Sequence, residues 1–166
     1  MRVLLSAFSC EPGKGSEQEV GLRTVLAAAA CHDVWVLTWD GGATALRDHL
    51  AGHPQEHRIH VVPIPLATEF RRLGFFSYHW YYDRWQREAA ERATELHRRV
   101  GFDVVHHVTH STVWTRVGVG AVPRPLVWGP VGGGVEAPLS LLTELGAKGL
   151  AENAARVVGR RVLRSL

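Results

Sequence analysis

The chain has 166 residues, of which 46% are hydrophobic and 21% are charged. This length suits one domain with a sizeable core, and this composition excludes an intrinsically disordered chain. The net charge is +3, but residues 147–166 hold five basic side chains against one acidic side chain. The basic groups therefore form a tail on a near-neutral domain, and a nucleic-acid-binding surface spread over the fold is not expected.

Cysteine content and hydropathy favour a cytoplasmic protein. Cys10 and Cys31 are too few for a disulfide framework, so reduced thiols are expected. The apolar run at the start of the chain covers only about eight residues, which is short for a signal peptide. No apolar run approaches the roughly 18 residues that span a bilayer. The arginine-rich aromatic segment 70–85 and the basic tail leave peripheral membrane association open as an alternative to internal packing.

Apolar runs and helical patterns alternate along the chain. The runs predict strands near 3–8, 33–39, 58–64, 103–108 and 125–128. Helical patterns are predicted for 17–30, 43–50, 78–100 and 113–118, and again from 138 to the end of the chain. Strands alternating with helices predict an α/β fold, a Rossmann-like three-layer domain over 1–166 with a mainly parallel sheet of five or more strands.

Two of the predicted helices have recognisable core-facing sides. In the first helix we expect Val20, Val25, Leu26 and Ala29 to be buried. In the helix near 78–100 the apolar positions recur at helical spacing, and the opposite side is charged. These apolar positions are Tyr78, Tyr81, Tyr82, Trp85, Ala89, Ala93, Leu96 and Val100.

The first strand runs into the sequence EPGKGSEQE, a glycine-bearing loop followed by a helix. Ser16 with Glu19 three residues later fits a capping box, which predicts a helix start at Ser16. Gly13, Lys14, Gly15 and Ser16 would then lie at a helix N-terminus, where unpaired N–H groups favour an anion. The loop is not a Walker A motif, and Gln18 replaces the third glycine of the dinucleotide fingerprint. A simple tight turn is the competing interpretation.

In open parallel sheets, ligands bind beyond the carboxyl ends of the strands, where the strand order reverses. That rule selects three loops here, at residues 12–16, 106–111 and 129–136. We expect these loops to form the walls of one crevice.

Three histidines follow the fourth predicted strand. His106, His107 and His110 lack the helical spacing and the glutamate of H-E-x-x-H, so no metal site is expected. Consecutive strand residues point to opposite faces, which leaves one of His106 and His107 in the core. The other, with Thr109 and His110, would face the crevice, where an imidazole can bind a hydroxyl or move a proton.

The loop after the fifth strand contains Gly132, Gly133 and Gly134. Three glycines allow a ligand to approach the backbone closely, which favours a binding loop over a plain connection. Glu136 could accept hydrogen bonds from ligand hydroxyls, or it could place negative charge at the helix that begins near Pro138.

Together, the segments MRVLLSAFSCEPGKGSEQEVG, FDVVHHVTH and PLVWGPVGGGVEAP resemble the N-terminal domain of family 4 (group 1) glycosyltransferases, in a bacterial subgroup. The resemblance extends over nearly the whole chain. It implies one half of a GT-B architecture, in which the N-terminal domain holds the acceptor and a C-terminal domain holds a nucleotide sugar. It also implies retaining sugar transfer to an acceptor hydroxyl without a bound metal or other cofactor.

The resemblance implies roles for particular residues. Gly13 and Gly15 would approach the donor phosphates or the acceptor, and His106 or His107 would be the family's histidine at the end of strand 4, with a catalytic role. Gly132, Gly133, Gly134 and Glu136 would line the acceptor side. Lys14, Ser16, Thr109 and His110, which the loop positions select, complete the predicted substrate-binding set. One departure from the family is Val135, which separates Glu136 from the glycines.

The donor-binding domain has no counterpart in this sequence, and the final helical pattern has no stop signal. We therefore expect a truncated domain that is inactive alone, with a small-molecule, glycan or lipid-linked acceptor as partner in the intact enzyme. The alternative is a non-catalytic nucleotide- or phosphate-binding module with a regulatory role. A dehydrogenase is disfavoured by the missing third glycine.

Overall fold

The computed structural model describes residues 1–66, 74–133 and 138–164, with the backbone alone at 74–79, 139, 143 and 159–164. The chain divides into two compact units. The first comprises Met1–Ser111 and Thr115–Pro130, and the second comprises Thr112–Trp114 and Val131–Leu166. Each unit is described by itself.

The first unit contains a five-stranded sheet in which every neighbouring pair is parallel. Its strands are β1 (Arg2–Ser6), β2 (Asp33–Trp39), β3 (Ile59–Ile64), β4 (Val104–His107) and β5 (Leu126–Trp128). Their spatial order is β3-β2-β1-β4-β5. All five strands lie within the ranges predicted from the apolar runs or, for β1, begin one residue earlier. Pro63 is tolerated in β3 because β3 is an edge strand.

Helices cover both faces of this sheet. They are α1 (Ser16–Ala29), α2 (Asp40–Leu50) and α3 (Gly74–Val100). Leu5 and Val36 pack in one buried cluster with side chains of α1 and α2, whereas Leu4 and Leu37 pack in a second cluster with side chains of α3. Adjacent strand residues therefore point into different layers, as the pleat requires. The predicted α/β, Rossmann-like three-layer fold is confirmed.

The core-facing side of α3 agrees with the prediction. Tyr81, Tyr82, Trp85, Ala89 and Ala93 are buried, and Leu96 and Val100 pack against the same cluster. Trp80 is 52% exposed. The side chain of Tyr78 lies outside the described part.

Helix α1 begins at Ser16 as predicted, but the capping-box prediction is wrong. Gly15 occupies the N-cap position, and no side chain of the described residues caps the helix. The Glu19 carboxylate instead pairs with Arg23, 2.7 Å away. Val20 is 38% exposed, whereas Val25 and Ala29 are buried as expected and Leu26 packs against the core.

Two further helix predictions are also wrong. Helix α2 begins at Asp40 rather than near Ala43, since Gly41 and Gly42 are helical. The expected helix at 113–118 is not found, and a short 3₁₀ helix follows at Gly118–Ala121. Gly118 donates its N–H to Gln86 Oε1 at 2.8 Å, so a contact with α3 takes the place of a helical hydrogen bond.

The second unit contains a 3₁₀ helix at Leu139–Glu144 and helix α4 (Gly146–Arg164), in agreement with the helical pattern predicted from Pro138 onward. Thr112 forms an isolated parallel bridge with Gly132. Val113 donates its N–H to Gly132 O at 3.2 Å.

Candidate functional site

The strand order reverses between β1 and β4. From β1 the chain builds outward through β2 and β3, and it then returns to the other side of β1 to add β4 and β5. The carboxyl ends of β1 and β4 therefore flank the position where ligands bind in sheets of this class. The loop after β1 carries Ser9, and the loop after β4 carries Thr109 and His110. We call the region lined by Ser9, Glu17, Thr109 and His110 the switch-point crevice.

His110 is held from several directions in the switch-point crevice. Its Nε2 lies 2.8 Å from Ser9 Oγ, and its backbone N–H donates to Glu17 Oε2 at 2.9 Å. The imidazole packs edge-on against the Phe8 ring, with centroids 5.3 Å apart, and lies 5.8 Å from the Tyr82 ring. Thus the loop after β1, helix α1 and helix α3 all contribute to its position.

The charge state of His110 is set by two opposing effects. Burial lowers the pKa of the imidazole, and the nearby Glu17 carboxylate raises it in part. The pKa is lowered overall, so the imidazole is neutral at pH 7 and can offer one donor and one acceptor nitrogen. Such a group can bind a hydroxyl or accept its proton.

Thr109 supports the crevice rather than offering a free group to a ligand. Its side chain is buried, and Oγ1 accepts a hydrogen bond from Ser9 N at 3.2 Å. Its carbonyl oxygen accepts a hydrogen bond from the Tyr82 hydroxyl at 3.3 Å.

His107 is the core histidine of the adjacent pair, since none of its surface is exposed. Its Nδ1 lies 3.0 Å from Ser6 Oγ, and its Nε2 lies 3.3 Å from the Tyr82 hydroxyl. Burial, with smaller contributions from His106 and His110, lowers the pKa of His107 to about 4. Both ring nitrogens are engaged within the protein, and the catalytic role predicted for His107 stays a prediction.

His106 occupies the opposite face of β4. In register it lies beside Leu5, whereas His107 lies beside Ser6. His106 is half-buried, and its Nε2 lies 3.2 Å from the carbonyl oxygen of Gly129. A carbonyl can only accept, so Nε2 carries the proton in this contact. Its predicted catalytic role likewise stays a prediction.

The glycine-bearing loop after β1 is open. Gly13 has φ +69° and Gly15 has φ +115°, conformations that favour glycine. A Cβ at Gly13 would meet no atom within 4 Å, and Lys14 and Ser16 are exposed. Because Glu17 follows directly and contacts His110, this loop lies beside the switch-point crevice. Two of the three predicted loops therefore come together.

The third predicted loop is divided: Gly129 lies in the first unit beside His106 and His107, whereas the described residues 131–133 belong to the second unit. There Gly133 has φ +76°, and a Cβ on it would lie 2.5 Å from Trp114 Nε1. Gly132 pairs with Thr112. Gly134 and Glu136 lie outside the described residues, so their predicted roles stay predictions.

Sequence reasoning missed three residues of the site. Ser9 lies among apolar residues and gives no signal of its own. The capping-box pattern assigned a role to Glu19 and none to Glu17. Gly21 is the third: a Cβ at this position in α1 would lie 2.3 Å from Ser9 O and 3.1 Å from Thr109 Cγ2. The sequence EQEVG therefore holds a close-packing glycine three residues beyond the position that the dinucleotide fingerprint requires.

Two further features of the described residues concern metal binding and membranes. Within residues 1–66, 74–133 and 138–164, no cluster of three or more histidine, cysteine or acidic side chains is arranged to hold a metal ion. None of the helices in this part of the chain has the length and apolar character to cross a bilayer. Cys10 is buried, which raises the pKa of its thiol to about 12, and Cys31 is exposed.

Comparison with known proteins gives no family assignment. No protein-family model matches the chain, and neither a curated protein nor a solved structure shows significant similarity to it.

Proposed function

We propose that this chain is the acceptor-binding domain of a retaining glycosyltransferase that uses a nucleotide sugar. The observation that carries the proposal is the position of His110. A neutral imidazole, a serine hydroxyl and a carboxylate meet where the strand order of a Rossmann-like sheet reverses. The resemblance of the EPGKGSE, HHVTH and GPVGGG segments to family 4 glycosyltransferases adds support from the sequence.

The proposed role of the switch-point crevice is to hold and orient an acceptor. Ser9, Glu17 and His110 offer hydrogen-bonding groups suited to the hydroxyls of a sugar or polyol. Fixing an acceptor hydroxyl removes part of the entropic barrier to transfer, and a neutral imidazole can accept its proton. The nucleotide sugar would be supplied by a second domain, and we expect no sugar transfer by this chain alone.

Local charge favours a neutral acceptor over a phosphate at this position. The Glu17 carboxylate already lies in the first turn of α1, where it interacts favourably with the helix dipole. A phosphate at the same place would be repelled by Glu17, and Lys14 is the one cationic side chain of the adjacent loop 12–16 that would oppose this repulsion. Glu19 does not enter this balance because it pairs with Arg23.

A phosphate-binding module is the second candidate, and one observation favours it. No side chain of the described residues caps α1, and the glycines before it leave room for a ligand to approach the backbone. Unpaired N–H groups at such a helix start are suited to an anion.

Ligand titrations followed by amide NMR separate the two candidates. The probes are glucose, maltose, UDP-glucose, GDP-mannose and inorganic phosphate, each added to the full chain. Acceptor binding predicts saturable shifts at Ser9, Glu17 and His110 with a saccharide, weakened at least tenfold in His110→Ala. His60→Ala is the control, because His60 lies on edge strand β3 and stacks on Trp35 instead.

Two outcomes would contradict the acceptor proposal. Phosphate could shift the amides of Gly15 and Ser16 while both saccharides leave the crevice unchanged, which supports the anion-binding module. Alternatively, the saccharide-induced shifts could be the same in His110→Ala and in the unsubstituted chain, which would remove His110 from the site.

A further inference from the structure

We propose that Glu17 is a positioning residue, which holds His110 in a left-handed backbone conformation and so fixes its imidazole in the switch-point crevice. The role of that imidazole in binding an acceptor rests on the proposed function. The positioning itself follows from the geometry and is testable without any ligand.

The first observation is the backbone of His110. Its φ is +54°, and it is the one non-glycine residue with positive φ among residues 1–66, 74–133 and 138–164. For a residue with a Cβ this region is sterically unfavourable, so contacts around His110 must compensate for the strain. Such residues are concentrated at binding and catalytic sites.

The second observation is the partner of the His110 backbone N–H. Glu17 Oε2 accepts this hydrogen bond at 2.9 Å, from a residue 93 positions away in the chain. A carboxylate makes a stronger hydrogen bond than a neutral acceptor does. Since the bond is made to the backbone N–H, it acts directly on the conformation of residue 110 and does not involve the ring nitrogens.

The third observation is the consequence for the imidazole. In this conformation the ring lies against Phe8 and Tyr82, and Nε2 reaches Ser9 Oγ at 2.8 Å. A change of φ at residue 110 would carry the ring away from all three partners together. Glu17 therefore links the first turn of α1 to the direction in which the imidazole points.

The close approach of α1 makes this link possible. Gly21, one turn beyond Glu17, lies against Ser9 O and Thr109 with no space for a side chain. The helix is thereby held near the loop after β4, within hydrogen-bonding distance for Glu17. Glu19 in the same turn is paired with Arg23, so it supplies a matched control.

The test compares Glu17→Ala, Glu17→Gln and Glu19→Gln in the full chain. Without ligand, the ring protons of His110 report their distance from the Phe8 and Tyr82 rings through ring-current shifts. In Glu17→Ala we expect the chemical shifts of the His110 ring protons to move to the values of a free histidine. They should be retained in Glu17→Gln, which keeps an oxygen acceptor, and in Glu19→Gln. The pKa of His110 should fall further in Glu17→Gln, because the charge that raises it is removed.

The variant His110→Gly provides a background without backbone strain at residue 110. In His110→Gly, residue 110 adopts positive φ without a steric penalty. Adding Glu17→Ala to this variant should therefore change the amide shifts of Ser9 and Thr109 less than adding Glu17→Ala to the chain that retains His110. Unchanged His110 ring shifts in Glu17→Ala would overturn the proposal.

Saccharide titrations then separate the two proposals. If Glu17 positions His110 and the crevice binds an acceptor, Glu17→Ala weakens saccharide binding about tenfold and Glu17→Gln restores it to within about twofold. If the ring shifts collapse in Glu17→Ala but no saccharide binds even the unsubstituted chain, the positioning role stands and the acceptor function is wrong.

Discussion

His107 is a fully buried polar residue at the end of β4. Its imidazole joins a buried chain of hydrogen bonds: Gln86 Nε2 donates to the Tyr82 hydroxyl at 2.7 Å, and Tyr82 and Ser6 then contact the two ring nitrogens. The Tyr82 hydroxyl also donates to Thr109 O, next to His110. This network holds the loop after β4 in place. It stays intact only while His107 is neutral, because a charge buried at this position would cost free energy.

The lowered pKa of His107 makes stability depend on pH. An unfolded histidine titrates near 6.5, and the folded value is about 4. Between these values the unfolded state binds more protons. The stabilisation is therefore complete above about pH 6.5 and is lost as the pH falls toward 4. The free energy of unfolding should decrease by about 3 kcal/mol over this interval from His107 alone. The lowered pKa of His110 acts in the same direction.

Urea unfolding between pH 4 and 7.5 measures this dependence. In His107→Gln the slope with pH should be much smaller than in the unsubstituted chain. Tyr82→Phe is the control: it removes one partner of His107 but leaves the imidazole buried, so stability should fall at every pH while the slope is retained. Equal slopes for His107→Gln and the unsubstituted chain would contradict the interpretation.

At the level of elements, the packing of α1 depends on Gly21. A Cβ there would lie 2.3 Å from the carbonyl oxygen of Ser9, which is backbone and cannot move aside as a side chain would. Overpacking of this kind costs about 1–3 kcal/mol, while replacing glycine by alanine within a helix gains about 1 kcal/mol. The clash should prevail because the contact is made to backbone, and Gly21→Ala should be destabilised by up to about 2 kcal/mol.

Urea unfolding and amide NMR of Gly21→Ala test this packing. The shift of α1 should also lengthen the Glu17 contact, so the His110 amide should move. Gly120→Ala is the control, because its Cβ would meet only Leu126 Cδ2 at 3.5 Å, an ordinary contact. A Gly21→Ala chain as stable as Gly120→Ala, with an unchanged His110 amide, would show that α1 has room at this point.

The strands and the core-facing side of α3 were predictable because burial alone determines them. Within β2, Val34–Leu37 is a continuous apolar run, and α3 repeats its apolar residues at helical spacing. Where tertiary contacts dominate, prediction failed. Gly41 and Gly42 suggested a turn, yet they lie within α2, because Gly41 packs under the Trp39 ring and Gly42 against Glu11. The contact of Gly42 with Glu11 joins distant parts of the chain and is not visible in the local sequence.

The candidate site was predictable only in part, for a related reason. The loops after β1 and β4 could be selected because parallel strands bring their carboxyl ends to one edge. The hydrogen-bond partners within these loops could not be predicted, because Ser9 and His110 are separated by 101 positions and Glu17 and His110 by 93. The left-handed conformation of His110 also has no signal in the sequence, since glycine is the usual residue there.

At the scale of the whole molecule, both buried hydrophobic clusters of the described residues lie in the first unit. Every buried member of the two core clusters lies between Val3 and Val122. The last strand, β5, ends at Trp128, and the first unit ends at Pro130. The sheet, both helical layers and the switch-point crevice therefore belong to residues that precede 131.

A chain ending after Pro130 should consequently fold and unfold cooperatively. We expect its near-ultraviolet circular dichroism, which is dominated by packed aromatic residues such as Tyr82 and Trp85, to match that of the full chain. The amide shifts of Ser9 and His110 should be preserved as well. A chain ending at Ala121 is the comparison, because it lacks β5 and leaves β4 as an unprotected edge strand, which promotes aggregation. Loss of cooperative unfolding in the chain ending at Pro130 would show that the second unit contributes to the stability of the first, although none of its described residues belongs to either core cluster.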